Sequence, residues 1–132
     1  MKIYKIAYNE EIYFSKESID PHSNVIKAVS KLTNKEIGYV QYIINDNEDN
    51  ITIPYIKVIP AYQRQNIGSK LIQELLKIEN IPYQKLNWDL VTTQGEQLKK
   101  SLDSKYGPSP FNTYKSASNT NIYKIAQWKV VN

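Results

Sequence analysis

The stretch Ile56-Lys57-Val58-Ile59-Pro60-Ala61-Tyr62-Gln63-Arg64-Gln65-Asn66-Ile67-Gly68-Ser69-Lys70-Leu71 decides how the rest of the chain is read. A β-rich run ends at a proline, a short polar turn follows, and a helical pattern begins at Asn66 or Ile67. Such a turn presents backbone N–H groups and the positive end of a helix dipole to whatever lies above it, which makes it a candidate anion site. Gly68 would let a ligand backbone approach closely, and Asn66 is among the few non-glycine residues that accept left-handed dihedrals at low cost. Ser69 adds a hydroxyl donor, and Arg64 lies in the same turn. The stretch also reads as an ordinary strand-to-helix connection.

Upstream, the chain reads as strands. Lys2 to Tyr8 roughly alternates, and Glu11 to Phe14 pairs back on it or extends it. Val25 to Leu32 and Ile37 to Asn45 are β-rich and are joined by the polar link Thr33-Asn34-Lys35-Glu36, which fits a hairpin. A second turn, Asn45 to Asn50, leads into Ile51 to Ile59. Pro54 falls inside that run and has no N–H to give a ladder, so a bulge or an unpaired edge is expected there. These runs predict an antiparallel meander of three or four strands.

Downstream, the period changes. Ile67, Leu71, Leu75 and Ile78 follow helical spacing, with Ile72 and Leu76 widening the stripe, and Ile81-Pro82 stops the helix near Asn80. Lys85 to Val91 reads as a strand, and Thr93-Gln94-Gly95-Glu96 has the pattern of a capping box for a second helix carrying Leu98 and Leu102. Gly107-Pro108-Ser109-Pro110 ends it, and Ile122 to Val130 reads as a last strand. Strands, helix, strand, helix, strand imply an α/β (α+β) fold. Its sheet is mixed and mostly antiparallel, with a parallel step where two strands flank the first helix.

At 132 residues, one domain spanning 1–132 is expected. With no cysteine, disulfides, thiolate zinc sites and cysteine nucleophiles are excluded together. The net charge of +4 is too modest and dispersed to argue for nucleic-acid binding. Every basic residue except Arg64 is lysine, which biased coding explains, yet the guanidinium suits phosphate better than an ammonium does. No apolar run is long enough for a membrane span, and the start lacks a signal-peptide core, so a soluble cytoplasmic protein is the expectation.

Val58-x-Pro60-x-Tyr62-Gln63-Arg64-Gln65-Asn66-Ile67-Gly68-Ser69-x-Leu71 resembles the acetyl-CoA-binding motif of the GNAT acyltransferase superfamily. That motif has Gln or Arg, two variable residues, Gly, one residue, then Gly or Ala. Gln63 fills the first position and Gly68 the last, while Asn66 replaces the middle glycine. The resemblance implies a GNAT-like fold and an N-acetyltransferase. In it the amides of Gln65, Asn66, Ile67, Gly68 and Ser69 hold the CoA pyrophosphate, with Arg64 in the same loop. The main chain of Ile56 and Val58 pairs with the pantetheine arm. An amide near Val58 polarises the thioester carbonyl for direct attack by an amine.

The family often places a tyrosine near the end of the second helix to protonate the leaving thiolate. Here that role falls to Tyr106, to Tyr114 or to water. Asp89 is the nearest carboxylate for a base, with a water chain as the alternative. His22 reads as a surface or capping residue, and Trp88 and Trp128 read as core residues, Trp88 lining an acceptor site if it is exposed. Glu10 to Asn24 is too short and irregular for the helices this family usually carries between its first strands. The acceptor, be it a small amine, a peptide or a protein lysine, is therefore not read from the family, and neither is a homodimer. The replaced glycine and displaced tyrosine leave a second reading: an inactive GNAT-like domain binding CoA, a protein or nucleic acid.

Overall fold

The computed structural model describes residues 3–6, 10–89 and 93–107, and the order of elements follows from where apolar residues alternate and where they repeat at helical spacing. Strands β1 (Ile3–Lys5), β2 (Glu11–Ser18), β3 (Ser23–Ser30), β4 (Glu36–Asn45) and β5 (Asn50–Val58) form an antiparallel meander. Helix α1 (Ile67–Glu79) then crosses to β6 (Leu86–Trp88), which pairs parallel to β5, and α2 (Thr93–Tyr106) follows. The sheet is thus mixed and mostly antiparallel, with the strands in sequence order. The expected closing strand Ile122 to Val130, Tyr114 and Trp128 lie outside the described residues.

The run expected at Glu11 to Phe14 pairs back on β1 and extends to Ser18 as the eight-residue strand β2, in the segment Glu10 to Asn24 that is too short for the family's helices. Ile12 faces the core, and Phe14 packs against it from the same face. The turn into β3 is held by Asp20, whose Oδ1 accepts the His22 and Ser23 N–H groups at 2.8 Å each. These bonds, His22's first, hold the Asp20 carboxyl below its ordinary value. His22 is a surface residue, with Nδ1 3.7 Å from Asp46.

Strand β3 stops at Ser30, short of the expected Leu32, because Ser30 itself starts the turn. Its carbonyl accepts the Asn34 N–H at 2.7 Å and its Oγ accepts the Thr33 N–H at 3.3 Å, leaving Leu32 82% exposed. Ile78 also departs from the expected stripe. The last turn of α1 directs Glu79 at the sheet, where it accepts Tyr42 O–H at 2.5 Å and Lys16 Nζ at 3.1 Å, so Ile78 turns outward. The face that packs on the sheet is Ile67, Leu71, Ile72 and Leu75. Asn80 ends the helix in a left-handed conformation, φ 54°.

Strand β6 is shorter than Lys85 to Val91. Tyr83–Lys85 form a 3-10 turn, and Lys85 reaches Asp49 at 3.1 Å; Leu90 and Val91 lie outside the described residues. Thr93 is the first residue of α2 rather than the residue capping it. The helix ends at Tyr106, with Gly107 at φ 87°.

Trp88 is fully buried beside Tyr83, at a ring separation of 6.3 Å, so it is a core residue and lines no acceptor site. Burial first, then a hydrogen bond to a carboxylate, pushes two core phenols well above their ordinary 10.0: Tyr42 against Glu79 and Tyr83 against Asp103. A raised folded-state value stabilises fully below pH 10 and is lost above it, where the unfolded chain ionises and the folded one does not. The melting temperature should fall as pH rises from about 9.5 to 11, and Tyr42→Phe/Tyr83→Phe should show a shallower fall. Parallel slopes by thermal denaturation would contradict this origin.

Candidate active site

The site begins with the phase of β5. Gln41 pairs with Tyr55 and Ile43 with Thr52, so Ile53 and Pro54 together oppose Tyr42: the bulge expected at the proline. Among the described residues, pairing with β6 covers Ile51–Ile53 opposite Leu86–Trp88, followed by the Asp89 N–H, which donates to the Ile53 carbonyl at 3.1 Å. Regular alternation would send residues 55 and 57 toward β6 as well. The extra residue reverses this. The Ile59 N–H donates to Ile37 of β4 at 2.9 Å, and the Lys57 carbonyl faces β4, 2.8 Å from where a Gly38 Cβ would sit. Ile56 and Val58 therefore turn their N–H and C=O groups away from β4, to the β6 side of the strand, where both residues line a cleft, the fork between β5 and the α2 wall.

At the mouth of this fork the chain turns through Pro60–Tyr62 and enters α1. Arg64 and Asn66 both take left-handed dihedrals, φ 66° and 62°. Asn66 is a residue type that tolerates this; Arg64 is not, and nothing in its chemistry announces it. The first intrahelical bond of α1 runs from the Lys70 N–H to the Asn66 carbonyl at 3.0 Å, so the amides of Ile67, Gly68 and Ser69 precede the ladder. No acidic residue stands in the first turn to offset the dipole, and the Arg64 side chain is exposed beside it.

These parts line one cleft of about 280 Å³. Ile56 and Val58 come from β5, Gln63, Arg64 and Asn66 from the turn, and Ile67, Gly68 and Ser69 from α1. The opposite wall, which sequence reasoning missed, is α2 with Gln94, Gly95, Gln97, Leu98 and Ser101. Its apolar spacing marked Leu98 and Leu102 as packing residues, but only the tertiary contact of the two helices shows which polar positions face the cleft. Two glutamines span the walls: Gln63 Nε2 donates to the Val58 carbonyl at 2.9 Å, and Gln94 Nε2 donates to Gln63 Oε1 at 3.1 Å. Gln65 does not line the cleft, and its Oε1 is buried with no hydrogen-bond partner among the described residues.

Neither Tyr106 nor Asp89 is among the described residues that line this cleft. Tyr106 stacks on Tyr83 at 5.1 Å near the far end of α2, and Asp89 continues β6 along Ile53. Among the described lining residues Arg64 is the only one that carries a charge. The arrangement can hold an extended anion: amides and a cation at one end, and an open strand edge along the other.

A mixed sheet with a bulged strand, and a helix N-terminus at the mouth of a cleft beside it, defines an α/β protein. The Acetyltransferase (GNAT) family model matches residues 2–79, more than half of the chain, and the chain belongs to that family. No curated protein matches the sequence. Among solved structures, a GNAT family acetyltransferase from Streptococcus pneumoniae TIGR4 is similar at 19% identity and a TM-score of 0.55, over 76% of this chain and 96% of that one. The aminoglycoside N-acetyltransferase AAC(6')-Iy in complex with CoA is similar at 9% identity and a TM-score of 0.55, over 80% and 93%. At these identities the likeness is one of fold.

Gly68 also has a packing role: a Cβ there would lie 3.2 Å from Leu98 Cδ2 of α2. Alanine gains up to about 1 kcal/mol of helix propensity against that tight contact, so Gly68→Ala should be nearly neutral. Gly68→Val should cost about 1–3 kcal/mol by overpacking and recover in part with Leu98→Ala. Urea denaturation measures both, and additive losses in the double variant would contradict the contact.

Proposed function

We propose that residues 1–132 form one acyltransferase domain that moves an acetyl group from acetyl-CoA to an amine by direct attack. The observation that carries this reading is the alignment of two features in one cleft: the amides that open α1, and the outward edge of Ile56 and Val58. Membership of an acetyltransferase family supports it. The residues present fit the cosubstrate, since the mouth offers positive charge and N–H donors to a pyrophosphate. The fork offers strand-like donors and acceptors to an amide-bearing arm.

In this reading Asn66, Ile67, Gly68 and Ser69, without Gln65, direct their amides at the pyrophosphate, with the Arg64 guanidinium beside them. Ile56 and Val58 align the arm. The Val58 N–H lies on the same side as its carbonyl, where it can stabilise charge on an acyl oxygen. Acetyl-CoA, when bound, supplies the activated thioester. The amine nitrogen forms the new bond to the acyl carbon as the carbon–sulfur bond breaks. The amine's proton passes to solvent, and the thiolate takes one from water. Water takes both roles in this reading, since neither Tyr106 nor Asp89 is among the described lining residues and Tyr114 lies outside the described residues. The acceptor is a small molecule, a peptide or a protein lysine, and we place the reaction in the cytoplasm.

The lack of a titratable acid or base among the described lining residues favours one other reading, a domain that binds CoA without transfer. Calorimetry with acetyl-CoA and mass spectrometry of an amine panel separate the two. Binding with acetylated product supports the enzyme; binding without product across small amines, peptides and proteins supports the second reading. No binding at millimolar acetyl-CoA sinks both. Arg64→Ala should weaken binding several-fold, about 1 kcal/mol. Unchanged affinity would remove Arg64 from the site.

A further inference from the structure

Glu10 stands in the link between β1 and β2 and lines no part of the cleft. Its Oε1 nevertheless accepts hydrogen bonds from two distant elements: Ser30 Oγ at the end of β3, at 2.8 Å, and the Tyr62 hydroxyl, at 2.7 Å. Ser30 is fully buried. The Glu10 carbonyl is held as well, accepting the Ile6 N–H at 2.8 Å, and the next residue's carbonyl accepts the Lys31 N–H at 2.9 Å. The carboxylate is thus fixed to the sheet from several directions.

Tyr62 is the last residue of the 3-10 turn Pro60–Tyr62, and its N–H donates to Ile59 at 2.9 Å. Beyond it come Gln63, which reaches Val58, and the two left-handed residues Arg64 and Asn66. The left-handed conformation is tolerable for Asn66 but unfavourable for Arg64, so it persists only if the flanks of the turn are held. On the far side the flank is α1. On the near side, the Tyr62 hydroxyl is tied across the fold to Glu10, with the Ser30 hydroxyl also in hydrogen-bonding reach of it. A phenol on an ionised carboxylate is a short, charge-assisted bond, stronger than a neutral one.

We propose that Glu10 is a positioning residue for the anion loop: acting through the Tyr62 hydroxyl, it fixes Gln63–Asn66 in the conformation that aims the α1 amides into the fork. This rests on the reading of the cleft as a CoA site. It also gives the start of β2 a function, since Glu10, the residue before that strand, meets Tyr62.

The test compares Glu10→Ala, Glu10→Gln, Tyr62→Phe and the double variant Glu10→Ala/Tyr62→Phe. CoA affinity is read by calorimetry, and amide hydrogen exchange at residues 63–66 is read without ligand. Glu10→Ala and Tyr62→Phe should each weaken CoA binding about five- to tenfold and speed exchange of the loop. The double variant should be no worse than either alone. Glu10→Gln keeps an acceptor oxygen for both donors and should retain affinity within about twofold, which a general loss of stability does not predict. If Glu10→Ala does not fold, Tyr62→Phe, which removes one oxygen atom, still decides the matter. Absence of CoA binding by the unaltered protein overturns the reading of the cleft and this inference with it. Normal binding by the unaltered protein, with affinity and loop exchange unchanged in Tyr62→Phe, overturns the inference alone.

Discussion

A proline has no amide hydrogen, and at position 54 that absence sets the form of the molecule. A strand in the middle of a sheet can tolerate it only where the ladder breaks, and β5 breaks there, with Ile53 and Pro54 sharing the single partner Tyr42. Two consequences follow from one extra residue. Among the described residues, pairing with β6 runs to the contact of Asp89 with Ile53, and the β5 backbone groups beyond change sides. A fork with an outward-facing edge is the result. The buried face opposite absorbs the break, since Tyr42 is fully buried and anchored to Glu79 of α1.

The second half of the site depends on how tightly the chain turns out of β5. Leaving the strand at Ile59 and entering a helix at Ile67 takes a 3-10 turn and two left-handed residues. Those dihedrals are unfavourable for Arg64 and tolerable for Asn66, so the turn is a strained element between two rigid ones. Its orientation decides whether the α1 amides face the fork or solvent. Packing contributes at the same place, because Leu98 of α2 rests over Gly68 and sets the width of the cleft.

Much of this architecture is legible in the sequence because its causes are local. Pro54 announces the bulge, the change of period at Ile67 announces α1, and Asn66 and Gly68 mark the turn. The order of strands follows from short polar links that leave antiparallel neighbours little choice. What could not be read is non-local. Whether Ile78 or Glu79 faces the sheet is settled by a tyrosine from β4, thirty-odd residues upstream. The end of β3 is a local exception: Ser30, not Leu32, ends it because its side chain and carbonyl capture amides three and four residues on, a turn that the β-rich run through Leu32 masked. The α2 wall of the cleft and the Glu10–Tyr62 bond join segments far apart in the chain, and no spacing encodes them. Tyr106 illustrates the same limit: its place at a helix end is legible, but its stacking on Tyr83, away from the cleft, is not.

The central claim is that one surface, the α1 amides together with the outward edge of β5, receives CoA. Backbone amide chemical shifts followed during a CoA titration test it residue by residue. The account predicts the largest shifts at Ile56, Val58, Ile67, Gly68 and Ser69, with little change in the distant turn from Asn45 to Asn50. Shifts centred on that turn or on β1, with the α1 amides unmoved, would contradict it.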